Sequence, residues 1–304
     1  MEIYQHSGKA PLVSVLLSVA AGLIVALVGA FLYAWSVQWI PLIFLNFLAT
    51  VFYAAIVGWA VGGVARAGKV RSLTAVGLAS LLCMAAGVWL YWGASIWAMG
   101  GREVGWNAWR PDVLWAFVEH LYVNGSWGIK NGNPVTGLFL AAVWVVEIGM
   151  LLGIAWVTAL ACVGQPFCES CGQWTQTEKR VAAFDAEGHE PVWQRVITDD
   201  LPALGEVPLL VEDKAKYVRL DFAKCPNCEN SNFMTLQAVH ITTDNKGNVE
   251  TIERKLIEHG VLTAEQSQII RHLAAMAIEE VQIDPAAEAP PAVSESDPSA
   301  DQQA

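Results

Sequence analysis

Four long, predominantly apolar stretches, Leu12 to Trp35, Pro41 to Val64, Leu73 to Met99 and Val135 to Ala161, constrain this chain more than any other feature. Each exceeds the roughly 18 residues that mark a candidate membrane-spanning helix. A helix satisfies its own backbone polar groups in hydrocarbon, which an open strand cannot. Residues 1–161 are therefore expected to form a domain of four transmembrane helices, with a Trp-rich outer loop at 100–134. A cleaved signal peptide is the rival reading for the first stretch. Its apolar run is longer than the roughly 7 to 15 residues of a signal h-region, and only Lys9 supplies the positive flank.

The chain is 54% hydrophobic and 15% charged, but the average hides two unlike halves. Residues 1–160 carry 7 Lys/Arg and 5 Asp/Glu, whereas residues 161–304 carry 11 and 24, so the net charge of -11 is +2 from the first half and -13 from the second. An acidic domain is repelled by nucleic-acid phosphates and by anionic headgroups, which argues against nucleic acid as a partner. A basic protein partner, or simple solubility, fits the charge better.

Arg66, Lys69 and Arg71 crowd the short link between the second and third stretches, and Lys9 precedes the first, so these sides read as cytoplasmic. Both termini then lie inside. Free thiols suit the reducing cytosol and point the same way. Ser36 to Ile40 leaves room only for a tight hairpin, so the first two helices should pack as antiparallel neighbours, with Trp35 and Trp39 at the interface. Ala20, Gly22, Ala26, Gly29, Gly58, Gly62 and Gly63 would permit close helix approach. Small-residue faces also leave room for a homo-oligomer.

The outer loop holds Trp106, Trp109, Trp115 and Trp127, and Pro111 to Val123 reads as a short interfacial amphipathic helix. After Ala161 the pattern turns β-prone. Lys179 to Asp185, Pro191 to Ile197, Pro208 to Glu212 and Tyr217 to Ala223 are expected strands, and Phe233 to Thr243 and Val249 to Lys255 are expected to pair across a turn at 244–247. Thr263 followed by Gln266 is a capping-box pattern that opens a helix through Glu280. A cytosolic α+β domain over 162–283 follows. Residues 284–304, rich in Pro, Ala, Ser and acid, are expected to be a disordered tail.

Two Cys-x-x-Cys pairs, Cys168/Cys171 and Cys225/Cys228, carry the clearest chemistry. Each turn can place two sulfurs on one side of an ion, and two turns close a tetrahedral shell of the kind zinc prefers. Gly172 after the first pair and Pro226 within the second resemble the knuckles of zinc-ribbon and rubredoxin-like domains, over about Phe167 to Lys255. The resemblance implies a structural metal, zinc or iron, and no activity. The chain departs from the pattern in spacing, since 53 residues separate Cys171 from Cys225, and Glu229 stands where a glycine often follows. An insertion of strands or a short helix, around Asp199 to Leu204, must fill the gap. A redox dithiol is the competing reading, although neither pair opens a βαβ helix. The whole arrangement also resembles uncharacterised four-span proteins of the bacterial inner membrane with a cysteine-rich cytosolic tail.

Glu147 is the one acid inside the four stretches. A lone intramembrane carboxyl is costly and faces protein or water; Asn46, Tyr53 and Ser80 are candidate hydrogen-bond partners. Cys83 and Cys162 read as small core residues, and the six histidines show no ligand spacing. No nucleophile elbow, phosphate loop or H-E-x-x-H string is present, so the chain is not expected to be an enzyme. The leading expectation is a scaffold or protein-docking module at the cytoplasmic membrane face. A small transporter or proton-linked sensor using Glu147, and a membrane thiol oxidoreductase, are the alternatives.

Overall fold

The computed structural model describes residues 1–40, 43–100, 104–125, 133–210, 214–228, 231–243 and 248–283. The expected turn at 244–247, the expected tail at 284–304, Trp127 and Glu229 lie outside them. The chain divides into two compact units, His6–Gln165 and Met1–Gln5 together with the chain from Pro166 onward.

The first unit contains α1 (Leu12–Trp39), α2 (Ile43–Ala67), α3 (Leu73–Gly100), α4 (Pro111–Asn124) and α5 (Gly137–Val163). The helices α1, α2, α3 and α5 are long and apolar enough to cross a membrane, which suggests a multi-pass membrane protein. Their outward faces, at Leu16, Ile24, Leu32, Phe44, Trp59 and Val145 among others, are exposed apolar surface. On a soluble protein such a surface would be an aggregation hazard. Ser36 to Trp39 extend α1 rather than forming a loop. The helix stops at Ile40, which is extended at φ -104 and ψ 100, as the residue before Pro41 must be to avoid the proline ring.

Within the bundle, α1 packs on α2 and α3, and α5 packs on α2 and α3. Ala26, Ala30, Tyr33, Tyr53, Val57 and Val61 lie in its core, with Cys83 among them. Glycine decides the α2–α5 crossing. A Cβ on Gly58 would strike the backbone of Ala155, and one on Gly62 the backbone of Ala159 and the side chain of Cys162. Gly63 faces open space. Gly58→Val is accordingly expected to cost about 1–3 kcal/mol through overpacking. Gly63→Ala should stay within about 0.5 kcal/mol. Thermal unfolding of the two variants in mild detergent reads the difference.

The outer connection forms a 3-10 turn, Gly105–Trp109, and then α4. Proline at the first position and Asp112 in the first turn suit that start. Leu114 and Leu121 are its buried residues. Trp109 donates its ring N–H to the Leu90 carbonyl at 3.2 Å, whereas Trp106 is 90% exposed.

The second unit begins with a two-stranded hairpin, β1 (Phe167–Cys168) and β2 (Gln173–Trp174). A four-stranded antiparallel sheet follows in the order β3 (Gln176–Asp185), β4 (Lys216–Lys224), β5 (Asn232–Thr243), β6 (Val249–Leu262). Alternation places Val218, Leu220 and Phe222 in the main core with Phe184, Met234 and Leu236. Two helices contribute to that core: α6 (Glu190–Ile197) through Trp193 and Val196, and α7 (Ala264–Ile283) through Ile270 and Leu273.

Two expected strands are corrected. Residues 191–197 are helical as α6, because Pro191 and Glu190 favour a helix start and the buried pair Trp193 and Val196 is spaced by three, not two. Of the expected strand at Pro208 to Glu212, Leu209 makes a single bridge to Phe184, and residues 211–213 are outside the described set. The expected helix near Asp199 is a 3-10 turn, Leu201–Glu206. The capping box is present: the Gln266 N–H donates to Thr263 Oγ1 at 3.2 Å and the Thr263 N–H to Gln266 Oε1 at 2.9 Å.

The sheet also gains a segment from the far end of the chain. Ile3 bridges Gly260, the Tyr4 N–H donates to the His259 carbonyl at 2.9 Å, and the Val261 N–H donates to the Glu2 carbonyl at 2.8 Å.

Candidate metal centre

The four knuckle cysteines converge. Their Sγ atoms all lie within 4.8 Å of one another, forming a group able to hold a metal ion. Local structure explains the first pair: β1 and β2 pair as Phe167 with Trp174 and Cys168 with Gln173. Gly172, at φ +64, takes the left-handed turn that a side chain would disfavour, and its N–H donates to the Cys168 carbonyl at 2.8 Å. The second pair sits where β4 ends, and the Cys225 N–H donates to the Ser231 carbonyl at 3.1 Å, closing that turn onto the start of β5. Tyr4 supports the site from the N-terminal segment: its hydroxyl accepts from the Phe167 N–H at 3.1 Å, and its ring meets Phe233 edge-on at 5.1 Å.

The donor set passes a simple test of fit. Sulfurs bound tetrahedrally at about 2.3 Å from an ion stand about 3.8 Å apart, and Cys168 Sγ lies 3.6 Å from Cys228 Sγ. That is far beyond the about 2.05 Å of a disulfide, and none of the six cysteines is in a disulfide. Two hydroxyls join the site: Ser231 donates to Cys168 Sγ at 3.2 Å, and Ser170 lies 3.1 Å from the same sulfur. The sequence reading missed both serines, although Ser170 stands inside the first Cys-x-x-Cys turn.

These contacts make the sulfurs unequal. Burial works against a Cys168 thiolate, but the hydrogen bonds from Ser170, Ser231, the Cys171 backbone and Cys225 outweigh it and hold the thiol down at about 6. Cys171 is pushed up to about 12, chiefly by its hydrogen bond with Cys228, with burial and its contacts to Cys225 and Cys168 adding to this. Of these two sulfurs, Cys168 holds the thiolate more readily. Cys168 contributes stability above the ordinary thiol value of about 8.5, and that contribution is lost as pH falls through about 6. Metal uptake must displace the proton that the raised Cys171 thiol holds. Uptake at pH 7 is therefore expected to release protons into a weakly buffered solution, and apparent affinity should fall steeply from about pH 7 to about pH 5.

Beside the second knuckle lies a groove of about 540 Å³. Val181, Phe222, Ile270 and Ala274 give it apolar walls, and Pro226 and Asn227 bring the knuckle itself to its rim. Lys224, also on the lining, pairs with Glu178 at 2.6 Å.

Other residues singled out from the sequence stand apart from the centre. Cys83 and Cys162 belong to the helical unit, where their thiols donate to the carbonyls of Val19 and Thr158. Among the described residues no histidine joins the four cysteines. Glu147 lies on α5 with Oε1 2.6 Å from the Tyr33 hydroxyl, and its partner is not the expected Asn46, Tyr53 or Ser80. Those three donate to the carbonyls of Ile40, Ala26 and Gly77 instead. Comparison with protein families, curated proteins and solved structures finds no match to this chain.

Proposed function

We propose that this protein is a membrane-anchored zinc-ribbon module that docks a partner protein at the cytoplasmic face of a bacterial inner membrane. The observation that carries the reading is the four-cysteine cluster next to the groove. Four thiolates fill a tetrahedral shell and leave no open position, which is the mark of a structural zinc site rather than a catalytic one. Zinc would be held by Cys168, Cys171, Cys225 and Cys228, and would supply cross-linking of the two knuckles. Ser170 and Ser231 would soften the thiolate charge, and Tyr4 would brace the first knuckle.

Topology supports the placement. An even number of spans returns the chain to the side on which it began, and the pairing of Ile3 with Gly260 ties the N-terminal segment to the sheet. The positive link at Arg66, Lys69 and Arg71 favours the cytoplasm for that side. The partner would place an apolar side chain in the groove at Val181 and Ala274, with polar lining from Glu178, Lys224 and Asn227.

A photo-crosslinking residue at Asn227 of the full-length protein, activated in intact membranes, tests the reading. A protein adduct is expected, and it should fall by about tenfold or more, a loss of about 1.4 kcal/mol in binding, in two variants. Cys225→Ser with Cys228→Ser removes zinc and adduct together. Ala274→Trp fills the groove and removes the adduct while zinc stays bound. An adduct unchanged in both variants would overturn the docking role.

A further inference from the structure

The helical unit contains a chain of hydrogen bonds that the docking role does not use. Glu147 Oε1 on α5 lies 2.6 Å from the Tyr33 hydroxyl on α1. That hydroxyl lies 2.7 Å from Thr50 Oγ1 on α2, and Thr50 Oγ1 lies 2.9 Å from the backbone carbonyl of Asn46, one turn earlier on α2. Tyr33 is 4% exposed and Thr50 5%, so protein groups must satisfy both hydroxyls.

Counting hydrogens distinguishes two arrangements. Three contacts need three hydrogens. The two hydroxyls supply one each, and the Asn46 carbonyl supplies none. All three are made at once only if the third comes from Glu147. With a proton on its carboxyl, Glu147 donates to Tyr33, Tyr33 donates to Thr50, and Thr50 donates to the Asn46 carbonyl, and every contact is made. With the carboxyl ionised, Tyr33 must turn its hydrogen to Glu147. Thr50 then either reverses toward Tyr33 and leaves the Asn46 carbonyl, or leaves the Tyr33 contact without a hydrogen. Asn46 O serves the backbone ladder of α2 in either case, so reversal is a modest loss.

We propose that Glu147, Tyr33 and Thr50 form an intramembrane proton-binding site, in which one proton on Glu147 sets the direction of a hydrogen-bond chain joining α5, α1 and α2. The surroundings fit a neutral acid. Tyr91 on α3 packs its ring on Tyr33 at 4.7 Å and is the other titratable group interacting with Glu147. Tyr53 on α2 donates away, to the Ala26 carbonyl. On α4, Asp112 pairs with Arg110 and His120 with Asn124, and neither Glu119 nor Tyr122 interacts with Glu147. Among the described residues no lysine, arginine or histidine pairs with Glu147. An acid in this setting is neutral or holds a cation.

Infrared difference spectroscopy of the full chain in phosphatidylcholine nanodiscs tests the proposal. The wild-type protein at neutral pH should show the carbonyl band of one protonated carboxylic acid that Glu147→Gln removes. Tyr33→Phe should move that band, because its acceptor is gone, and Thr50→Val should move the tyrosine band while leaving the acid protonated. Glu147→Gln keeps an N–H to donate to Tyr33, so its melting temperature should match the wild type while the band is lost, which separates proton loss from misfolding. A Glu147 carboxylate band at neutral pH, or an acid band indifferent to Tyr33→Phe, would overturn the proposal. Loss of the acid band on adding sodium at constant pH would overturn it too, by making a cation the ligand.

Discussion

Serine at both Cys225 and Cys228 is expected to abolish metal binding and open the two knuckles, while the four-stranded sheet stays folded. Structural zinc contributes on the order of 10 kcal/mol or more to the folding of isolated finger peptides, which have almost no core of their own. This domain differs. Phe184, Leu201, Leu204, Leu220, Met234 and Leu236 are all fully buried in a core built by β3 to β6, α6, the 3-10 turn and α7. Loss of the ion should therefore fall on 166–175 and 225–231. Trp174, whose ring meets Phe167 edge-on at 5.0 Å in the first knuckle, should report the opening as a fluorescence change. Limited proteolysis should cut between Phe167 and Trp174 and spare β4 and β5. Collapse of the whole sheet would instead make the metal the main source of the domain's stability.

Phe184→Ala is expected to do the reverse: destabilise the sheet by about 3–5 kcal/mol with the metal still bound before unfolding. Phe184 is fully buried and packs edge-on against Trp193 at 6.1 Å, and the surrounding β3, β4 and α6 are too well connected to collapse into the space left. Against a domain stability of typically 5–15 kcal/mol, the loss should move the denaturant midpoint far. Unfolding followed through Trp193, with metal content measured in parallel, reads both effects. A loss below about 1 kcal/mol would mean that the core is looser than its burial implies.

The parts legible in the sequence are those that local chemistry fixes. Four long apolar runs can only be satisfied in hydrocarbon as helices, and the helices are found close to where the runs lie. The Cys-x-x-Cys turns, the capping box at Thr263 and Gln266 and the strand before the second knuckle are likewise short-range patterns. The long gap between the cysteine pairs is now explained: β3, α6, the 3-10 turn and β4 occupy it, and they supply much of the core. Most of what escaped depends on contacts between distant segments. Nothing in Met1–Gln5 announces a partner for β6, since a bridge such as Ile3 to Gly260 is chosen by the sheet's free edge. The partner of Glu147 depends on the rotation of α1 about its axis, which brings Tyr33 to it across 114 positions of sequence. Helix α6 is the exception. Its apolar residues fit both periods, and only the Pro191 start and the spacing of Trp193 and Val196 favour the helix.

Zinc-edge X-ray absorption on the full-length protein purified in mild detergent, with elemental analysis of the same sample, tests the central claim most directly. One zinc per chain with four sulfur neighbours at about 2.3 Å, absent from the Cys225→Ser, Cys228→Ser protein, is the result expected. A metal-free protein whose four knuckle cysteines are oxidised to disulfides, or a zinc with fewer sulfurs and a bound water, would contradict it.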